Sequence, residues 1–281
     1  MEVTVKQIVA LIGTRSIQGY VFASNELKQN LGASELVREA LDDCQTRPER
    51  IYVGGGNAAL RFASMEAARE AIYRWSREWL RKAPGLEFAV GIGEAEGDSD
   101  DARREAYLCA RRNLKAAEGR PEMGARLGAL PFVAACPSTG WGASEVHPQE
   151  PGQPISAETE AKLGAVPRAL RRLKQHTLEL PNRLVFQSDF DELGAPAGPA
   201  KLTLVHVDGN GMGELLDLIL EGKGGKGAAL TERLVNFSRA VEALAQDALR
   251  RTVQDLAEAY EWLAKEGIIE REWKGEGSDV Q

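Results

Sequence analysis

Asp208 closes an apolar, β-branched run over residues 201–207 and is followed by Gly209-Asn210-Gly211-Met212-Gly213. A carboxylate at a strand end, beside backbone oxygens exposed at glycines, is a donor set for Mg²⁺ or Mn²⁺. These hard ions take oxygen ligands, keep waters and bridge to phosphates. The same pattern serves as a strand-to-helix turn in which Asp208 caps the next helix and the glycines satisfy its geometry. Spacing alone leaves the two accounts level. Phosphoryl transfer through two metal ions also needs a second carboxylate nearby. Glu276 and Asp279, in the glycine-rich stretch 275–279 after a weak strand signal over 268–273, are the candidates. A frayed polar terminus is the simpler account of that stretch.

Gly54-Gly55-Gly56-Asn57 lies between two short apolar stretches and has the residue types of a hairpin turn that needs positive φ. It carries no carboxylate and holds no metal alone. The Asn57 amide suits a base or sugar, against the plainer role of a turn residue. Lys223-Gly224-Gly225-Lys226-Gly227 looks phosphate-friendly but lacks the spacing of a P-loop. His147, His176 and His206 share no metal-ligand spacing. Trp75 and Trp79, one helical turn apart, read as core.

Residues 5–12 form a β-branched run of the kind buried on both faces of a sheet. Helical spacing follows over 17–29 and again over 34–44, with Ser34 placed to cap the second helix. Short strands over 50–53 and 58–62 flank the glycine turn, a helix spans 65–82, and a strand spans 86–92. The order strand, helix, strand, strand, helix, strand predicts a ferredoxin-like antiparallel sheet with its helices on one face. A charged amphipathic helix over 98–118 decorates this unit. Residues 136–154 read as a long irregular loop, 156–175 as helix, 194–199 as linker, 212–220 as helix, and 228–265 as one long helix or two.

With 281 residues and 43% apolar content, the chain is long enough for two ordinary cores. Its net charge of −7, from 35 basic and 42 acidic residues, argues against a protein whose overall field gathers nucleic acid. Any such contact must be local. Cys44, Cys109 and Cys136 are widely spaced and odd in number, which fits a reducing compartment. No run approaches the about 18 apolar residues of a membrane span, and no secretory leader opens the sequence. The expectation is a cytoplasmic protein.

The stretch Gly13-Thr14-Arg15-Ser16-Ile17-Gln18-Gly19-Tyr20-Val21-Phe22, with Asn25-Glu26-Leu27-Lys28 and Gly32-Ala33-Ser34-Glu35-Leu36, resembles the first palm domain of the large polymerase-like subunit of type III CRISPR effector complexes. Gly54-Gly55-Gly56-Asn57 is similar to that domain's degenerate hairpin. Residues 136–139 with Ile155-Ser156 resemble its linking segment, and residues 189–194 with 205–213 the entry to its second palm. The resemblance covers most of the chain, in the same order.

It implies an α+β fold of two ferredoxin-like palm modules: a first palm over 1–135, a linking segment over 136–199, and the start of a second palm over 200–281. In that family the palms bind ATP between them, and the second, GGDEF-related palm makes cyclic oligoadenylate when target RNA is bound. Carried over, Asp208 is the metal ligand and catalytic carboxylate, helped by backbone at Gly209. Gly13, Ser16, Gln18, Asn25, Ser34, Asn57, Asn210 and Gly211 line the nucleotide site. The expected ligands are ATP and Mg²⁺ or Mn²⁺; the expected partners are CRISPR effector subunits and RNA, with no membrane.

The sequence departs from the family in having no GGDD element, HD nuclease domain or carboxy-terminal helical domain. The expectation is therefore either an amino-terminal fragment or a reduced relative that binds nucleotide without turning it over. The alternative is a non-catalytic palm scaffold, or an RNA- or protein-binding subunit of an antiviral defence complex.

Overall fold

The computed structural model describes residues 5–45, 50–120, 132–177, 211–222 and 229–267. At its centre is β1 (Lys6–Arg15), whose run from Gln7 to Gly13 is buried throughout. Side chains alternate across a strand, so Ile8, Ala10 and Ile12 enter one core while Val9 and Leu11 enter another. β1 pairs antiparallel with β3 (Asn57–Phe62) on one side and β4 (Glu87–Glu96) on the other. β2 (Arg50–Gly54) completes an antiparallel sheet of order β2-β3-β1-β4. Gly55 and Gly56, at φ 59° and 80°, make the expected two-residue hairpin turn.

The α+β class and the βαββαβ order stand as read. Both crossover helices, α2 (Leu27–Gln45) and α3 (Met65–Lys82), pack on one face. Ser64 caps α3 by accepting the Ala67 amide at 3.1 Å. Trp75 is core, as its spacing implied. Its indole N–H donates to the Ala40 carbonyl at 3.1 Å, and its ring tilts against Phe88 with centroids 4.5 Å apart.

The other face is covered too. α4 (Asp100–Glu118) lays an alanine stripe, Ala102, Ala106 and Ala110, on the sheet. The approach is close because it meets Gly91 and Gly93. A Cβ on either would come within 2.1 Å of the Ala110 or Ala106 carbonyl oxygen, respectively. α6 (Met212–Leu220) and the start of α7 (Leu230–Lys265) add Ile219, Leu220, Leu230 and Leu234 to this second core. The long apolar pattern after 228 is thus one continuous helix.

One boundary differs from the sequence reading. The first helical stretch stops early as α1 (Ile17–Val21), and α2 runs unbroken through residue 34. Ser34 is therefore an exposed residue inside a helix, not its cap. The hydroxyl that accepts an amide where α2 begins is that of Ser24, from Glu26 N–H at 3.1 Å. Gly32 does not break the helix, because it is a contact point. A Cβ there would lie 1.7 Å from the Lys162 carbonyl oxygen of α5 (Ala157–Thr177). Arg168 and Arg172 of α5 then pair with Glu39 and Glu35 of α2.

Within the expected irregular loop, β5 (Glu145–Val146) and β6 (Pro154–Ile155) form a small antiparallel ribbon. The apolar run 201–207, the linker 194–199 and the stretches 223–227 and 268–279 lie outside the described residues. Among the described residues no helix is long and apolar enough to cross a membrane.

Because α4 rests on bare backbone at two glycines, Gly93→Ala is expected to destabilise the protein by about 3 kcal/mol through overpacking. Urea unfolding followed by circular dichroism measures this, and an unmoved midpoint would rule out so tight a contact.

Candidate functional site

Most of the residues nominated from sequence in the first module fall at one end of the sheet, where β1 runs out beside the β2–β3 turn. Gly13 and Asn57 are partners across β1 and β3. A Cβ on Gly13 would approach Glu118 Oε1 at 3.2 Å and Asn57 Oδ1 at 3.3 Å, so its bareness leaves room for two oxygens. Asn57 Nδ2 donates to the Gly55 carbonyl at 3.0 Å, which fixes the amide over the turn. The Thr14 amide donates to the Gly56 carbonyl at 2.9 Å and ties the strand end to the same turn.

The chain then bends sharply. Ser16, at φ 47° and ψ 46°, is the one non-glycine residue with positive φ among the described residues. Such a conformation costs about 1–3 kcal/mol and persists only where its surroundings enforce it. Two glycines let neighbouring atoms close in around it. A Cβ on Gly19 would meet Ser16 Oγ at 2.5 Å, and a Cβ on Gly56 would meet Ile17 Cδ1 at 2.5 Å. α1 therefore sits directly against the hairpin, with Ser16, Gln18 and Asn25 exposed on or beside it.

Sequence reasoning passed over Phe22. It is 67% exposed, and its amide donates to the Gln18 carbonyl at 2.9 Å, which puts it one helical turn from Gln18 on the same face. Arg15, the cation of this segment, is already committed. Its guanidinium donates to the carbonyls of Glu118 and Arg120 at 3.2 and 2.7 Å and lies 3.6 Å from Glu87.

The remaining nominations fare differently. Ser34 is exposed within α2 and does not stand at its start. Asp208, Gly209 and Asn210 lie outside the described residues, as do Glu276, Asp279 and His206. Gly211 has φ 75° and precedes α6 as its N-cap. Among the described residues no group of three His, Cys, Asp or Glu side chains is arranged to hold a metal ion. A groove of about 570 Å³ lined by Leu36, Glu39, Asp42, Asp43, Trp79, Lys82 and Arg168 includes none of the nominated residues.

Two buried polar groups on or against α5 also escaped sequence reading. Lys162 is fully buried and pairs with Glu158 at 2.6 Å. Their i, i+4 spacing is that of an ordinary surface pair, so nothing in the sequence marked them. Cys136, also buried, lies 3.3 Å from Thr159 Oγ1, which is itself 3.2 Å from Ser156 Oγ. All three cysteines are free thiols. Burial pushes the Cys136 thiol up, but hydrogen bonds from the Thr139 and Thr159 hydroxyls and the Ser156 and Thr139 backbone outweigh it and bring it down to about 6.

Comparison with protein-family models and with curated proteins gives no match to this chain.

The folded thiol pKa of about 6 lies below the ordinary 9.0, so between these values the folded state holds fewer protons than the unfolded one. The resulting stability is complete above the unfolded value and is lost as pH falls through the folded one. Thiolate absorbance near 240 nm is expected to titrate close to pH 6 in the folded protein and to lose that step in Cys136→Ser. A native titration with no step near pH 6, indistinguishable from that of Cys136→Ser, would contradict the hydrogen-bonding assignment.

Proposed function

We propose that this chain is a palm-type nucleotide-binding protein, related to the CRISPR polymerase-like subunits that its sequence resembles, and that it takes ATP with Mg²⁺. The observation that carries the reading is the gathering of Gly13, Ser16, Gln18 and Asn57 at one sheet end, against a strained residue and a glycine turn. Strain of this kind concentrates at ligand sites. The donor set suits the neutral part of a nucleotide: a hydroxyl at Ser16, amides at Gln18 and Asn57, and the exposed ring of Phe22 for a base to cover.

The same set does not by itself suit a triphosphate, because Arg15 is bound to backbone carbonyls and to Glu87. Phosphate charge is therefore assigned to a divalent ion, which Asp208 and the Gly209 backbone would hold. When bound, that ion would offset phosphate charge and orient an attacking hydroxyl. The chain's own contribution is to seat the base and sugar and to hold them still. Nucleotidyl transfer to an oligoadenylate product is assigned only to a state in which a second carboxylate is supplied.

The alternative, a non-catalytic scaffold that docks RNA or protein subunits of a defence complex, draws support from α7. That helix leaves Leu244, Leu256 and Trp262 more than half exposed.

Isothermal titration with ATP and Mg²⁺ separates the readings. Wild-type protein is expected to bind, with affinity reduced about tenfold, or about 1.4 kcal/mol, in Asp208→Ala and in Asn57→Ala. Equal binding by wild type and Asp208→Ala would remove Asp208 from the site. A chain that binds no nucleotide but elutes with an RNA or protein partner would favour the scaffold.

A further inference from the structure

A lysine with no exposed surface is costly, since its ammonium gives up water and must find replacement partners. Lys162 has three. Its Nζ donates to Glu158 Oε1 at 2.6 Å, donates to the Tyr20 backbone carbonyl at 2.7 Å, and lies 4.2 Å from the centroid of the Tyr20 ring. Glu158 is held in turn against Gly85, where a Cβ would come within 2.2 Å of its carboxylate. For stability alone, an apolar pair of similar volume serves as well or better than a buried ion pair. What an apolar pair cannot do is bind a particular carbonyl.

That carbonyl belongs to α1, a helix of five residues. So short a helix does not hold itself together, and its last carbonyls have no partner within it. The Tyr20 amide donates to the Ser16 carbonyl at 2.9 Å, and the Phe22 amide to the Gln18 carbonyl at 2.9 Å. Tyr20 is thus bonded to the strained residue at the start of α1 and stands just before the exposed ring of Phe22, and Lys162 grips it from α5, 142 positions along the chain.

We propose that Lys162 is a positioning residue for the nucleotide site: by holding the Tyr20 carbonyl it fixes the α1 turn that presents Ser16, Gln18 and Phe22. The assignment rests on the nucleotide reading above for its ligand, while the grip on α1 can be measured without one. It makes α5 part of the site's frame although no α5 side chain is placed against nucleotide.

The test uses the whole chain carrying Glu158→Gln with Lys162→Met, which removes both charges together and leaves no buried carboxylate unpaired. Ile72→Val, in the α3 side of the core, serves as a comparison that lowers the melting temperature without touching α1. In the double variant, hydrogen exchange over residues 16–24 is expected to speed up about tenfold, as for the loss of one buried hydrogen bond. ATP affinity in Mg²⁺ falls by a similar factor, and Ile72→Val changes neither. Exchange over 16–24 within twofold of wild type in the double variant overturns the role of Lys162, whatever ATP does. Equal acceleration in Ile72→Val overturns it as well, by reducing the effect to general loosening. Wild-type protein that binds no ATP overturns the nucleotide assignment, whatever the exchange shows.

Discussion

The structure depends on one strand that has no polar face. From Ile8 to Ile12, β1 offers apolar side chains alternately to both sides of the sheet, so neither side can be left to water. One core is closed by α2 and α3, the other by α4 with α6 and the start of α7. A βαββαβ unit needs only the first pair. The second layer is a consequence of β1's composition, and it leaves the ends and edges of the sheet as the places where polar groups can gather.

The sheet end chosen for the candidate site also holds Ser16, the one non-glycine residue with positive φ among the described residues. Ser16 could be relieved of its left-handed conformation by a glycine, yet the glycines sit around it, at 19 and 56, where they let neighbouring atoms close in. Local strain is thus held by tertiary contacts from the hairpin on one side and, through Tyr20, from α5 on the other. Side chains presented by so short a helix gain precision from such external bracing, since α1 has too few internal hydrogen bonds to define itself.

What could be read from sequence was what periodicity encodes. The unbroken apolar run of β1, the glycine turn between β2 and β3, the helical spacing of Trp75 and Trp79 and the amphipathic pattern of α4 all gave elements of the right type in the right order. Two kinds of information were missing. Ser34 was misread because a Gly-Ala-Ser run looks like a helix start, whereas Gly32 is a crossing point whose partner lies 130 residues away along the chain. Lys162 and Glu158 have the spacing of a solvent-exposed pair, and only packing distinguishes burial from exposure. The candidate site divides the same way: Gly13 and Asn57 were separately legible, while their apposition across two strands and the exposure of Phe22 required the fold.

The close approaches at Gly32, Gly85, Gly91 and Gly93 also bear on kinship. Each meets backbone, or a buried carboxylate held in place, at a separation that no side chain tolerates. A chain that shares this architecture can exchange nearly every surface residue, its ligand-facing ones included, and still must keep these bare positions in register. The architecture is therefore fixed less by the polar residues at the sheet end than by the spacing of those that do nothing but stay out of the way.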